Sequence, residues 1–353
     1  MGNNQISGNE HIVKDLGNNF PDGEKFFGLQ NIDNICYSNS IFQAFYNCEP
    51  FKKKVLEYKS NKETKDNPIS LLQELFQEIQ FSKKKTGVCS SKKIMKYVRK
   101  GNPDFKGENH QDCHEFSIWF LNQMNDVLNK KYIKSKTNPN PPPKNQPSWI
   151  EEIFGGILTT QTTCLNCQKI TERDEPFLDL SLDMNMNSSL TNCVKKLSDI
   201  EKMSGDDQFF CNTCNSKHDA EKKILIKKLP QTLICHLKRF KYDDRLNRMI
   251  KLFWRVAFPL GIKLTPNYVP PDQQNKQDLH TEMNYQLNSV IIHHGQGLSI
   301  GHYTALIKKT DIWYLYDDEQ INKIQESDYQ EYFGSNNIPS CAYMLFYQQK
   351  EDD

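Results

Sequence analysis

The stretch Gly28-Leu-Gln-Asn31-Ile-Asp-Asn-Ile-Cys36-Tyr-Ser-Asn39-Ser-Ile-Phe-Gln43 changes character at its middle. Asn31 to Ile35 is loop-like and rich in turn formers. Ile41, Phe42 and Phe45 fall at helical spacing and predict a helix beginning near Ser38. Cys36 therefore sits at a helix N-terminus, where the aligned peptide dipoles favour negative charge. A thiol attacks a carbonyl well only as thiolate, and its ordinary pKa of about 8.5 falls in that setting, most of all beside an imidazole. Asn31 can bring a side-chain amide back to the same point, and one donor aimed at an oxyanion is worth about 3 kcal/mol. A cysteine taken alone is more often a small buried hydrophobe and an asparagine a turn former. The reading therefore requires a base elsewhere in the chain.

Such a base occurs far downstream. Gly301-His302-Tyr303-Thr304 opens a strand, and Trp313-Tyr-Leu-Tyr316-Asp317-Asp318 ends the next. Adjacent antiparallel strands would set Asp317 or Asp318 against His302, where a carboxylate fixes the tautomer and supports the imidazolium. Cys36, His302 and one of these acids form a candidate triad. His293 and His294 read as hydrogen-bonded strand residues.

Upstream and downstream of Cys36 the organisation divides in two. Residues 1 to about 24 are polar and aperiodic and predict a flexible lead-in, with structure starting near Phe26. Helical spacing runs from Tyr37 to Tyr58 with a break at Glu49-Pro50, and recurs over Pro68 to Phe81 and Gln111 to Leu128. The proline-rich run Asn138 to Pro147 predicts a linker. Short strands follow at Gly156 to Gln161, Phe177 to Leu182, Lys223 to Leu229, Thr232 to Phe240 and Trp254 to Phe258. A last block holds Gln286 to His294, Tyr303 to Lys308, Trp313 to Tyr316 and Ala342 to Tyr347. The class is α+β, a helical half meeting a β half, with a cleft between them as the natural active site. At 353 residues, two domains or one domain with a large insertion is expected.

Cys164-Leu-Asn-Cys167 and Cys211-Asn-Thr-Cys214 are paired C-x-x-C knuckles, each able to present two thiolates about 4 Å apart to a tetrahedral Zn²⁺. Four protein ligands leave no open position, so this zinc is expected to be structural. The long stretch between the pairs exceeds a zinc-ribbon gap and predicts a strand-built insertion. Cys48, Cys89, Cys113, Cys193, Cys235 and Cys341 read as packing or surface thiols.

Bulk properties exclude more than they name. With 45 basic and 44 acidic side chains the formal net charge is +1, which gives no field favouring nucleic acid or an anionic membrane. No run of about eighteen apolar residues and no apolar signal core occur, so an intracellular location, cytoplasmic or nuclear, is expected. Eleven cysteines then serve as ligands, nucleophile or packing groups rather than disulfides. The start, Met1 to Ile6, lacks the Ser or Thr of a myristoylation signal.

At the residues just quoted the chain resembles the ubiquitin-specific proteases, cysteine proteases that cut after the C-terminal glycine of ubiquitin. Four boxes are similar to that family's and in its order: Gly28 to Gln43, Gln111-Asp-Cys-His-Glu-Phe116, Leu237-Lys-Arg-Phe240 and Gly301-His302-Tyr303. The likeness runs from about Phe26 to Gln348. Phe51 to Tyr58, Leu229 to Leu233 and His236 to Tyr242 are similar to the small members numbered 12 and 46.

The resemblance implies a papain-like catalytic domain over 25–348, with a tail at 349–353. Its parts would be a thumb (about 25–150), zinc-bearing fingers (about 151–230) and a palm (about 231–348). It implies that the thumb supplies Cys36 and the palm His302 and Asp317. Asp317 is preferred to Asp318 because it comes first in the family's acidic pair, with Asp318 as auxiliary. It further implies that ubiquitin is gripped by the fingers while Asp112 and Glu115, at i and i+3 on one helix face, meet the arginines of its tail. WD-repeat activator proteins are the implied partners.

Three positions depart from the family pattern. Asp33 stands where glycine is usual, Ile35 replaces a common threonine, and His110 replaces the first glutamine of its box. Asp tolerates left-handed backbone better than most residues, and a carboxylate near the nucleophile raises a thiol pKa. Weak turnover, or in the extreme a ubiquitin-binding scaffold of the same fold, is the rival reading. A zinc-ribbon nucleic-acid binder lacks the basic stripe with interleaved aromatics.

Overall fold

Aromatic side chains at helical spacing build the thumb. In the computed structural model, which describes residues 9–60, 66–107, 109–134, 147–270, 281–297, 300–335 and 338–350 (backbone alone over 130–134), the helices Cys36–Tyr46, Glu49–Leu56, Pro68–Gln80 and Cys113–Lys134 pack together. Phe42, Phe45, Phe51, Phe76, Phe116 and Phe120 are fully buried, and edge contacts such as Phe42–Phe116 at 5.6 Å join them. Each such ring stabilises the fold by roughly 1.5–3 kcal/mol through burial alone. Asn67 caps the third of these helices by accepting from the Ile69 and Ser70 N–H groups, with Pro68 at its first position. The proline run expected as a linker lies, except for Pro147, outside the described residues.

The helix Cys36–Tyr46 begins two residues earlier than its apolar spacing predicts, and every one of its residues is buried. It is wedged between thumb helices and the palm, so its polar side chains bond inward: Gln43 Nε2 donates to the Phe27 carbonyl at 2.8 Å. The palm is a sheet of eight strands among the described residues. Its order is Gln320–Ile324, Ile312–Asp317, His302–Lys309, Met283–His294, Ser340–Gln349, Thr232–Leu237 and Leu180–Leu182, with Gly261–Leu264 also on Met283–His294. All pairs are antiparallel except the last, where Leu180–Leu182 runs parallel to Cys235–Leu237.

The fingers are a four-stranded sheet ordered Ile170–Phe177, Gly156–Cys164, Ala220–Lys228 and Glu201–Met203, with the hairpin Phe209–Cys211/Ser216–His218 at the tip. No helix among the described residues is long and apolar enough to cross a membrane.

Three expectations are corrected. The lead-in is not a free segment over 9–24: Glu10–Leu16 is a helix whose Ile12 and Leu16, one turn apart, are buried with Phe20 against the thumb. Residues 180–197, expected in the fingers, belong with the palm, because Leu180, Leu182, Leu190 and Val194 fill its core. The strand expected over Thr232 to Phe240 breaks at Lys238-Arg239. There Arg239 turns inward, fully buried, and its guanidinium donates to the carbonyls of Ala342, Leu252, Trp254 and Phe333. A planar group with five donors is the one side chain that can satisfy so many backbone acceptors at once.

Candidate active site

Cys36 is the first residue of its helix and only 1% exposed. The loop before it reverses through two left-handed residues, Asp33 (φ 62°) and Asn34 (φ 57°), conformations that Asp and Asn adopt more readily than other non-glycine residues. Arg99 holds the Asp33 carboxylate in an ion pair at 3.0 Å. The Ile35 N–H donates to Asn31 Oδ1 at 2.9 Å, which closes the loop directly ahead of the thiol.

His302 opens its strand opposite His294, and Gly301 before it has no room for a Cβ, which would lie 2.2 Å from His293 Nε2. The register pairs Ala305 with Tyr316, so Asp317 at the end of the neighbouring strand lies diagonally from His302. His302 Nε2 is 2.6 Å from Asp317 Oδ1 and 3.9 Å from Asp318 Oδ2. The hydrogen bond to Asp317, and after it the hydrogen bond to Cys36, push the His302 pKa up to about 10. The same bond holds the Asp317 carboxyl below its ordinary range. The arrangement thus favours an imidazolium beside the Asp317 carboxylate.

Asp318 faces elsewhere. Its Oδ2 accepts from Asn31 Nδ2 at 2.7 Å and its Oδ1 from Asn39 Nδ2 at 2.9 Å, while its backbone oxygen accepts from the Leu29 N–H at 2.8 Å. Glu319 Oε1 accepts from the Asn31 N–H at 2.8 Å, and a Cβ on Gly28 would lie 2.3 Å from the Glu319 carbonyl oxygen. Burial raises the Asp318 pKa. Asn31 therefore has its amide oxygen and one amide hydrogen engaged, leaving one hydrogen for an incoming group. Asn39, inside the Cys36 helix between Ser38 and Ser40, has no role in the sequence reading because a polar residue within a helix gives no periodic signal.

The expectation for Asp112 and Glu115 is revised. Asp112 is 6% exposed, and its Oδ1 caps the helix Cys113–Lys134 by accepting from the His114 (2.7 Å) and Glu115 (3.1 Å) N–H groups. Its Oδ2 accepts from the Tyr343 hydroxyl at 2.5 Å. Only Glu115 presents its carboxylate to solvent, with a pKa raised by partial burial and then by Asp112.

At the fingertips the sulfurs of Cys164, Cys167, Cys211 and Cys214 all lie within 4.8 Å of one another, with Cys167 and Cys211 at 3.6 Å. Tetrahedral zinc with bonds of about 2.3 Å requires sulfurs roughly 3.8 Å apart. The four thiols therefore fit one metal ion. The other seven cysteines are buried free thiols.

Comparison with known proteins places this geometry in a family setting. Residues 27–347 match the family model described as ubiquitin carboxyl-terminal hydrolase. The chain is 41% identical over 362 residues to ubiquitin carboxyl-terminal hydrolase 4 of Arabidopsis thaliana, covering 96% of this chain and 97% of that protein. It is 39% identical over 360 residues to ubiquitin carboxyl-terminal hydrolase 12 of Salmo salar, covering 96% and 94%. Among solved structures, the SAGA Ubp8/Sgf11/Sus1/Sgf73 DUB module bound to ubiquitin aldehyde shares the fold. The TM-score is 0.74 at 23% identity, over 98% of this chain and 76% of that one.

Proposed function

The chain belongs to the ubiquitin carboxyl-terminal hydrolase family, the thiol-dependent enzymes that cut after the last glycine of ubiquitin, and we propose that in it Cys36 attacks that glycine's carbonyl carbon. The sulfur–carbon bond forms as the carbonyl becomes an oxyanion, which the free amide hydrogen of Asn31 and the positive helix end at Cys36 stabilise. His302 then gives its proton to the leaving lysine amine, and the amide bond breaks to leave a thioester on Cys36. Next, His302 takes a proton from water, the hydroxide adds to the thioester, and collapse expels the Cys36 thiolate and releases ubiquitin's carboxylic acid, which gives its proton to solvent. Asp317 orients His302 throughout. The observation that carries this reading is the His302 imidazole bonded to Asp317 at 2.6 Å and near enough to Cys36 for the thiol to help raise its pKa, the three coming from elements far apart in sequence.

Zinc held by Cys164, Cys167, Cys211 and Cys214 would tie the finger strands Gly156–Cys164 and Phe209–Cys211 together and take no part in the chemistry. Ubiquitin would lie against the fingers, with its basic tail running past Glu115. A WD-repeat activator would seat on the fingers, where Ile170, Ile200 and Phe210 are 40–58% exposed. An intracellular location accords with eleven free cysteines.

The scaffold alternative loses support from the Asp33–Arg99 pair, in which the guanidinium offsets the charge of the suspect carboxylate. Release of ubiquitin from an isopeptide-linked substrate, with and without a WD-repeat activator, tests the proposal. Turnover abolished in Cys36→Ala with ubiquitin binding retained is expected. Turnover surviving in Cys36→Ala, or ubiquitin binding without turnover in the parent under both conditions, overturns it.

A further inference from the structure

The N-terminal segment is bonded into the turn that follows the proposed catalytic acid. Asn9, 5% exposed, donates from Nδ2 to the Glu319 carbonyl at 2.9 Å and the Gly87 carbonyl at 3.3 Å, and its Oδ1 accepts from the Ile321 N–H at 2.8 Å. His11 Nε2 lies 2.9 Å from the Ile321 carbonyl oxygen. Gln320–Ile324 is an edge strand, so these two side chains occupy backbone groups that a further strand would otherwise meet.

The opposite side of that turn holds the active-site loop. Leu29 and Asn31 bond Asp318 and Glu319 through three contacts already described, and Gly28 approaches Glu319 too closely for any side chain. The turn passes through Asp318 in a left-handed conformation (φ 48°), which persists for a non-glycine residue only when its surroundings over-determine it. Ile12, Leu16 and Phe20 anchor the segment in the thumb core, so its bonds to the turn come from an already ordered element.

We infer that Asn9 is a positioning residue: by fixing Glu319 and Ile321 it fixes Asp318, and through Asp318 the Asn31 amide. The inference rests on the reading of Asn31 as oxyanion donor. It makes turnover depend on a segment that does not itself touch Cys36, His302 or Asp317.

Asn9→Gly is the informative variant, because Asn9 has φ 73° and glycine takes that backbone without strain while removing only the side chain. Asn9→Asp keeps the acceptor for Ile321 and loses both donors. Both are compared with the full-length parent in cleavage of a fluorogenic ubiquitin C-terminal amide and in affinity for ubiquitin and ubiquitin aldehyde, whose thiol adduct places an oxygen at the oxyanion position. For Asn9→Gly, kcat is expected to fall roughly tenfold at nearly unchanged KM, a fraction of the ~10²-fold that 1 Å of misplacement costs. Affinity for the aldehyde falls while affinity for ubiquitin does not, and Asn9→Asp lies between.

Parent-like kcat in Asn9→Gly, or equal loss of affinity for both ligands, overturns the inference. So does a kcat that falls only in proportion to the unfolded fraction measured by circular dichroism. An Asn31→Ala chain as active as the parent removes the oxyanion reading beneath it. A parent that cleaves nothing removes the function itself, so the three failures are distinguishable.

Discussion

His302 Nε2 lies 2.6 Å from Asp317 Oδ1, and the very next carboxylate, that of Asp318, stays 3.9 Å away because two asparagine amides hold it. One acid serves the imidazole and the other serves the loop. Removing each should therefore produce different kinetics.

Asp317→Asn leaves the volume and removes the charge that fixes His302, and in triad enzymes such a change costs up to about 10⁴-fold in kcat. Asp318→Asn should cost less and act through Asn31. Steady-state cleavage checks both, with the pH dependence of kcat/KM altered in Asp317→Asn and parent-like in Asp318→Asn.

The raised His302 pKa sets an alkaline limit. The folded value is about 10 against an ordinary 6.5, so the stabilisation from its ion pairs is complete below the unfolded value and is lost as pH rises through the folded one. Activity that depends on protonated His302 should fall toward pH 10. In Asp317→Asn that limb should move to lower pH, since the largest cause of the shift is gone. A pH profile of labelling by a thiol-reactive ubiquitin reads both.

Metal analysis of the purified chain should find one zinc per chain, lost in Cys164→Ser or on chelation. Because four thiols in such a site fold with their metal, the fingers should become protease-sensitive while the Cys36 helix stays protected from hydrogen exchange. Melting of thumb and fingers together on chelation would contradict this.

Arg239→Met keeps the apolar volume and leaves the carbonyls of Ala342, Leu252, Trp254 and Phe333 short of their buried donor. Each unsatisfied buried group costs roughly 1–3 kcal/mol, so the loss should reach several kcal/mol. Urea denaturation should show a lower midpoint at unchanged slope.

What could be read from sequence follows the range of the signals. The Cys36 helix, its neighbours and most palm strands announce themselves by periods of 3.6 and 2 over many residues, and the paired knuckles by their spacing. Residues 10–16 carry one i,i+4 apolar pair, Ile12 and Leu16, in a polar stretch, too little to outweigh composition. The placement of Leu180–Leu182 depends on pairing with Cys235–Leu237, a non-local event with no local signature. Asp112 was legible: Asp followed three residues later by Glu115 is a helix-start pattern, but it was read as two carboxylates on one face. The triad residues could be named because strand ends and a helix start are local. The residues alone left Asp317 and Asp318 open, the resemblance preferred Asp317, and the distances of 2.6 and 3.9 Å to His302 favour the same choice.

The most direct measurement is peptide mapping of the adduct formed with ubiquitin bearing a C-terminal thiol-reactive group, on the parent and on His302→Ala, with and without a WD-repeat activator. The account predicts a single adduct on Cys36, formed far more slowly in His302→Ala. An adduct on another cysteine, or equal rates in the two chains, would contradict it.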